Sequence, residues 1–328
     1  MTRFFSVVAI VVALVAGLVS ESPAATFPPL DPGHPVTLTV GVPRSFGYLA
    51  TMWARNTQVP GLVIEYKYFP DFTQMLTAFN AGQVDVTEAG DVGALQSYQN
   101  GGGISVIAVS ASNDLECGLL VPKGSGVKTM ADLRGKKVAF LKSTNSYISF
   151  KHLIAKAHLA ESDFEIVQIT GPTGNKAFAS GQVDALFSIN PNLEDLAAQT
   201  GGKEIISCRD AGVQNLYPYL ATAAAVKEKP AALYAFIRAL ADTYKWVQAN
   251  HQAQATLLAP KLGFSEASIL TTYRQGAAAL QPIDAKFYAV EQKTADEFTE
   301  SGILTKPIDV KAVFVPTFND AITGTRKQ

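Results

Sequence analysis

One octapeptide occurs twice in this chain, and its spacing limits the fold more than any other feature. Ala78-Phe79-Asn80-Ala81-Gly82-Gln83-Val84-Asp85 returns as Ala177-Phe178-Ala179-Ser180-Gly181-Gln182-Val183-Asp184, an offset of 177 − 78 = 99 residues. Solenoid repeats recur every 20–50 residues or so. An interval of this size instead matches a duplicated lobe.

Each copy reads as a helix that stops and a strand that starts. Asp71 and Gln74 have the spacing of a capping pair, and Phe72, Met75, Leu76 and Phe79 then fall on one helical face. Gly82 stands where a helix closes in the left-handed conformation, and Val84 and Val86 open a strand. The second copy repeats the plan, with Gly181 as the stop and Val183 to Phe187 as the strand. A polar turn follows each strand, Glu88-Ala89-Gly90-Asp91 in one case and Ser188-Ile189-Asn190-Pro191 in the other. Asn190 reads as a helix cap with Pro191 at the first helical position. Strands alternating with helices predict α/β lobes with mixed, largely parallel sheets flanked by helices. Ligands of such sheets sit beyond the carboxyl ends of the strands, at these turns.

Other segments fit the same rhythm. Val36 to Val42, Ile104 to Val109 and Lys137 to Leu141 read as strands. Ser143-Thr144-Asn145-Ser146 precedes a helix carrying Phe150, Leu153 and Ile154. This polar cluster suits plain capping, and equally an anion held on unpaired N–H groups. The final third holds a long helix opened by Pro230, with Leu233, Phe236, Ile237, Leu240, Tyr244 and Val247 on one face. Two further helical stretches, Glu266 to Gln275 and Asp284 to Ser301, read as outer packing layers with little chemistry.

The N-terminus carries an address. Arg3, the apolar run Phe4 to Val19 and the small residues Ser22-Pro23-Ala24-Ala25 have the three parts of a secretory signal, here residues 1–25. The run is short for a bilayer span and is followed at once by Pro23 and Pro28. No cysteine lies near the cleavage site, which predicts a protein free in the periplasm and not a lipoprotein. The net charge of −1 offers no field for nucleic acid. Any anion must therefore be held by a few local groups. In an oxidising compartment Cys117 and Cys208 form a disulfide or remain two buried thiols, and their spacing does not choose between these.

The run Met130-Ala131-Asp132-Leu133-Arg134-Gly135-Lys136-Lys137-Val138-Ala139-Phe140 resembles a signature of bacterial periplasmic solute-binding proteins, specifically the alkanesulfonate, taurine and nitrate group that serves ABC importers. Gly82 to Val86 with Gly90-Asp91, Ala177 to Ala185, and the Tyr217 to Trp246 stretch resemble the same group, so the likeness spans the mature chain. It implies the two-lobed periplasmic-binding-protein fold, type II. Lobe 1 would be 37–112 with 218–328 and lobe 2 118–212, joined at crossovers 113–117 and 213–217. Cys117 and Cys208 would then lie at the crossovers and pair. The implied ligand, a small anionic or zwitterionic solute such as an aliphatic sulfonate or taurine, would sit between the lobes. Ser45, Phe46, Gly90 and Asp91 would face it from one side, Thr144, Asn145, Ser146 and Asn190 from the other, with Tyr217 near the second crossover. Gly90 would admit a close backbone approach, and Asp91 would cap its own helix or grip an amino group. A monomer that docks on a membrane permease is implied too. The chain departs from sulfonate binders where they carry Gly-Ser-Ser-x-His and Trp-x-Pro; here stand Ser143 to Tyr147 and Ile189-Asn190-Pro191.

Catalysis is not expected. His34, His152, His158 and His251 make no metal-ligand spacing, and no phosphate loop or nucleophile elbow is present. Pyrimidine synthases of thiamine biosynthesis share the implied fold but carry clustered cysteines, whereas this chain has two, far apart. Neither a cofactor nor a metal is expected. Mass spectrometry of exported protein should find an N-terminus at or near Ala25 or Thr26. Thiol labelling of the same material under denaturing conditions should find no free cysteine. Intact Met1 in a membrane pellet, or two labelled thiols, would contradict this reading.

Overall fold

A computed structural model describes residues 27–44, 47–70, 72–111, 117–142, 144–169, 171–214, 216–276 and 279–324. Residues 1–25, Ser45, Phe46, the capping candidate Asp71 and most of the first crossover lie outside this set. Among the described residues eleven strands form two sheets. They are β1 (Val36–Pro43), β2 (Leu62–Phe69), β3 (Val86–Glu88), β4 (Ile104–Ser110), β5 (Cys117–Val121), β6 (Lys137–Ala139), β7 (Glu165–Val167), β8 (Ala185–Ile189), β9 (Lys203–Ser207), β10 (Pro218–Thr222) and β11 (Leu280–Gln281). The first sheet runs β11-β4-β10-β3-β1-β2 and the second β7-β6-β8-β5-β9. The fold is a two-sheet mixed α/β architecture with helices on the faces.

The two orders are the same plan. β6, β7, β8 and β9 take the places of β1, β2, β3 and β4, and β5 takes the place of β10. The parallel pairs are β1–β2, β1–β3, β6–β7 and β6–β8, so four of nine pairings are parallel, fewer than the strand–helix rhythm suggests. The cause is the crossing of the chain. β4 and β9 carry the chain out of their sheets at the end where the other parallel strands finish. The strand that re-enters each sheet, β10 or β5, starts at that end and so runs antiparallel between its neighbours.

The repeated octapeptide does the same work in both sheets. Gly82 and Gly181 have φ of 70° and 73°, ending helices Phe72–Asn80 and Gly171–Ala179 in the left-handed region. Gln83 N–H donates to the Ala78 carbonyl at 2.9 Å and Gln182 N–H to the Ala177 carbonyl at 2.8 Å. The aspartates then clamp a neighbouring strand. Asp85 N–H donates to the Thr39 carbonyl at 2.7 Å, while its carboxylate accepts from Thr39 N–H at 2.8 Å. Asp184 N–H donates to the Lys137 carbonyl at 2.9 Å and its carboxylate accepts from Lys137 N–H at 2.8 Å. Phe79 and Phe178 fill equivalent buried places beneath. Phe72 does not join that face; it is exposed.

Helix Pro230–Ala249 buries all six residues of its expected apolar face against the first sheet. Among the described residues no helix is long and apolar enough to cross a membrane. Cys117 and Cys208 are both buried and paired as a disulfide, with Cα atoms 5.4 Å apart, inside the range a disulfide requires. Cys117 opens β5 and Cys208 begins the short helix after β9, so the pair ties these two neighbouring strands together at one end of the second sheet.

The clamps differ in one respect: the Asp85 carboxylate also accepts from Lys229 Nζ at 2.9 Å. Asp184→Ala should therefore destabilise by about 1–3 kcal/mol and Asp184→Asn by much less, since an amide oxygen still accepts the Lys137 N–H. Asp85→Asn should cost more than Asp184→Asn because it also discharges the lysine. Urea unfolding of the three variants checks this, and equal losses for the two asparagine variants would refute it.

Candidate functional site

The turn after β3 meets the helix start after β6 through one side-chain bond, and the turn after β8 meets helix Glu266–Gln275 through another. Gly90 is the N-cap of helix Asp91–Gln99, so Asp91 is its first residue and does not cap it. The Asp91 side chain is fully buried, and its Oδ1 accepts from Asn145 Nδ2 at 2.9 Å, a contact from one lobe to the other. Asn145 begins helix Asn145–Lys156, whose N-cap, Thr144, makes no side-chain capping bond. The Thr144 hydroxyl turns back to the Leu141 carbonyl at 2.7 Å, and Ser146 is half-buried one position inside the helix.

One further capping expectation changes. Asn190 does not cap; helix Asn192–Thr200 starts two residues later, with Pro191 before it and not at its first position. The Asn190 amide instead donates to Gln275 Oε1 of the first lobe at 3.3 Å and its own oxygen is buried without a partner. Gly90 has an ordinary φ of −78°, and a Cβ there would meet no atom within 4 Å. Its glycine is not required by close packing. Tyr217 is half-buried and its backbone exchanges two bonds with Ser110, Tyr217 N–H to the hydroxyl at 3.0 Å and Ser110 N–H to the Tyr217 carbonyl at 3.1 Å. It braces the ends of β4 and β10.

The helices expected to be outer packing reach these turns. Glu291, on helix Ala285–Glu300, shares a buried stripe with Phe287, Ala295 and Phe298. Only 1% of it is exposed, and neither carboxylate oxygen has a hydrogen-bond partner among the described residues. Burial pushes its pKa well above the usual carboxylate range, and the charge of Asp91 adds to the effect. Burial likewise raises the Asp91 carboxyl to about 6, against the pull of Asn145 and of the N–H groups of Asp91 and Leu216. Glu88, at the end of β3, is buried against Gly47; a Cβ on Gly47 would overlap its carboxylate. Tyr273 donates its hydroxyl to the Gly47 carbonyl at 3.2 Å, and Tyr48 stacks on Tyr244 with centroids 3.5 Å apart. The signal for these residues lies in the sequence: a glutamate on an apolar helical stripe, and another ending a strand that is otherwise Val86-Thr87.

The lobes also meet at the rims. His152 Nε2 pairs with Glu297, and Asp195 accepts from Ser265 Oγ at 2.6 Å and from Ser268 Oγ. A cavity of about 360 Å³ lies beside the second crossover, bordered by Leu216, Gln281 and Glu291 among others. A second, of about 410 Å³, opens at the opposite rim between Arg44 and Phe264 of one lobe and Asn175 and Asp195 of the other.

The Asp91 titration has a sign that can be tested. Its pKa lies above the ordinary 3.8, so the folded chain holds a proton that the unfolded chain releases between about 4 and about 6. Stability from the neutral form is complete below about 4 and is lost as pH rises through about 6. Relative to Asp91→Asn, the wild type should lose on the order of 2 kcal/mol between pH 4 and pH 7, measured by urea unfolding. Parallel pH profiles would contradict the burial described here.

Comparison with known proteins places this geometry. The chain is 26% identical over 311 residues to a putative aliphatic sulfonates-binding protein of Escherichia coli, covering 92% of this chain and 95% of that one. The alkanesulfonate-binding protein of Xanthomonas axonopodis pv. citri, solved with bound MOPS, superposes with a TM-score of 0.76 at 23% identity, covering 86% and 99% of the two chains. The periplasmic aliphatic sulphonate binding protein of Escherichia coli gives 0.77 at 24% identity, covering 86% and 93%. The chain thus has the periplasmic-binding-protein fold. The family model described as NMT1/THI5 like matches residues 58–255, more than half of the chain, and the chain belongs to that family.

Proposed function

We propose that this chain is an exported solute-binding receptor of an ABC importer, and that it is not an enzyme. It would capture a small anionic or zwitterionic solute, such as an aliphatic sulfonate or taurine, by closure of two lobes. Lobe 1 comprises 37–112 and 218–328, lobe 2 comprises 118–212, and the φ/ψ changes fall at 113–117 and 213–217. The observation that carries this reading is the bond between Asp91 and Asn145, which joins the post-strand turn of one sheet to the helix start of the other. Side chains from both lobes meeting over buried polar atoms is what a closing cleft requires. The names of the relatives support the solute class, and the membrane permease follows as the partner.

Export would also place Cys117 and Cys208 where a disulfide persists. In the chain-entropy model, closing their 91-residue loop stabilises by about 4.5 kcal/mol. The alternative on this fold is a receptor for a thiamine-precursor pyrimidine or a related enzyme; only the enzyme would draw on clustered cysteines, and the two cysteines of this chain are paired with each other.

Thermal unfolding with a panel of aliphatic sulfonates, taurine and nitrate tests the receptor. A true ligand at a hundred times its Kd should stabilise the fold by about 2.7 kcal/mol. Failure of every member of the panel to raise the midpoint would remove this reading.

A further inference from the structure

We propose that Glu291 and Asp91 together form the end of the cleft that receives a positively charged nitrogen, so that the solute is an amino-bearing molecule and not a simple sulfonate. The proposal rests on the receptor reading and narrows its ligand class.

Glu291 is the starting point. Its neighbours along the stripe, Phe287, Ala295 and Phe298, are apolar. A buried carboxylate is expensive unless something pairs with it. Within the described chain nothing does: both Glu291 oxygens are buried and unpartnered. The charge of Asp91, also negative, acts on it. Asp91 is half-satisfied in the same way, with Oδ1 taken by Asn145 and Oδ2 buried without a partner. Leu216 connects the two groups. Its N–H acts on the Asp91 carboxyl, and its side chain borders the 360 Å³ cavity that Glu291 also lines.

Other charges at that cavity do not neutralise the pair. Asp284 is negative, and its carboxylate accepts the Phe287 N–H at 2.8 Å as a helix cap. Lys286 is exposed and precedes Glu291 by five residues, a spacing that does not bring two side chains onto one helical face. The pair therefore presents three unpartnered acceptors, Asp91 Oδ2 and both oxygens of Glu291. A primary ammonium has three donors and a positive charge. A sulfonate has acceptors alone and cannot satisfy these oxygens, whereas an ammonium can displace a proton from the pair and take its place. The anionic end of a zwitterion would lie away from this pair.

Calorimetric titration of the full chain with two matched pairs of probes decides the matter. Taurine is set against isethionate, and β-alanine against propionate, so that only the amino group changes character. At least one amino-bearing probe should bind about tenfold to a hundredfold more tightly than its partner. Glu291→Gln should remove most of that margin while leaving the amine-free probe no weaker. Repeating the titration in buffers of different ionisation enthalpy should show a proton released on binding, absent in Glu291→Gln. Equal affinity within both pairs overturns the proposal, as does an equal loss of both members of a pair in Glu291→Gln, the mark of a purely structural role. If isethionate or propionate binds and neither amine does, the ammonium pocket falls and the receptor stands. If none of the four binds, the ammonium pocket falls, while the receptor falls only if the sulfonate and nitrate panel fails as well.

Discussion

Two aspartates set the dimensions of this molecule. Asp85 and Asp184 each grip one residue of a neighbouring parallel strand by two hydrogen bonds, one from backbone and one to carboxylate. A strand slipped by one residue turns every side chain to the wrong face, and a two-point clamp forbids the slip. Everything at the cleft is then measured from the clamps. Asp91 lies six residues beyond Asp85, and Asn190 six beyond Asp184, so the two polar groups of the post-strand turns are equivalent positions of one plan. Sequence repetition becomes mirrored chemistry because the strands between cannot drift.

Much of this is legible in the amino-acid sequence itself. The octapeptide, its glycine stops and the apolar face of the Pro230 helix follow from local rules that the fold obeys. The re-entrant strands are not legible there. Nothing within Cys117 to Val121 or Pro218 to Thr222 reveals that each runs antiparallel in the middle of a sheet; that follows from where the chain crosses, a long-range fact. Thr144, Asn145 and Asn190 stand out as polar residues at helix starts, where capping is the local expectation. Their actual partners, Leu141, Asp91 and Gln275, are set by tertiary approach. Glu291 escapes a local reading because its helix fits an amphipathic pattern well enough to pass for packing.

The departures share a physical character. A chain with little net charge has buried three carboxylates, Glu88, Asp91 and Glu291. Sequences violate local consistency mainly where function requires it. The ordinary ion pairs of this protein lie at the surface or the rims, as with His152 and Glu297, and Lys229 and Asp85, each partly solvated. The Glu291 carboxyl is buried, with no partner among the described residues.

The antiparallel placement of β10 bears on how the chain assembles. Its partners β3 and β4 are complete by Ser110, yet they do not pair with each other; they flank a slot filled only by Pro218 to Thr222. The second sheet, by contrast, is made wholly from Cys117 to Ser207 and is finished before β10 exists. A chain emerging from its N-terminus would therefore carry the free edge of β3, and a β4 with neither of its partners β10 and β11, while the second sheet forms. Bare edges invite pairing with other chains. β10 closes the gap between β3 and β4, and β11 then covers the outer edge of β4.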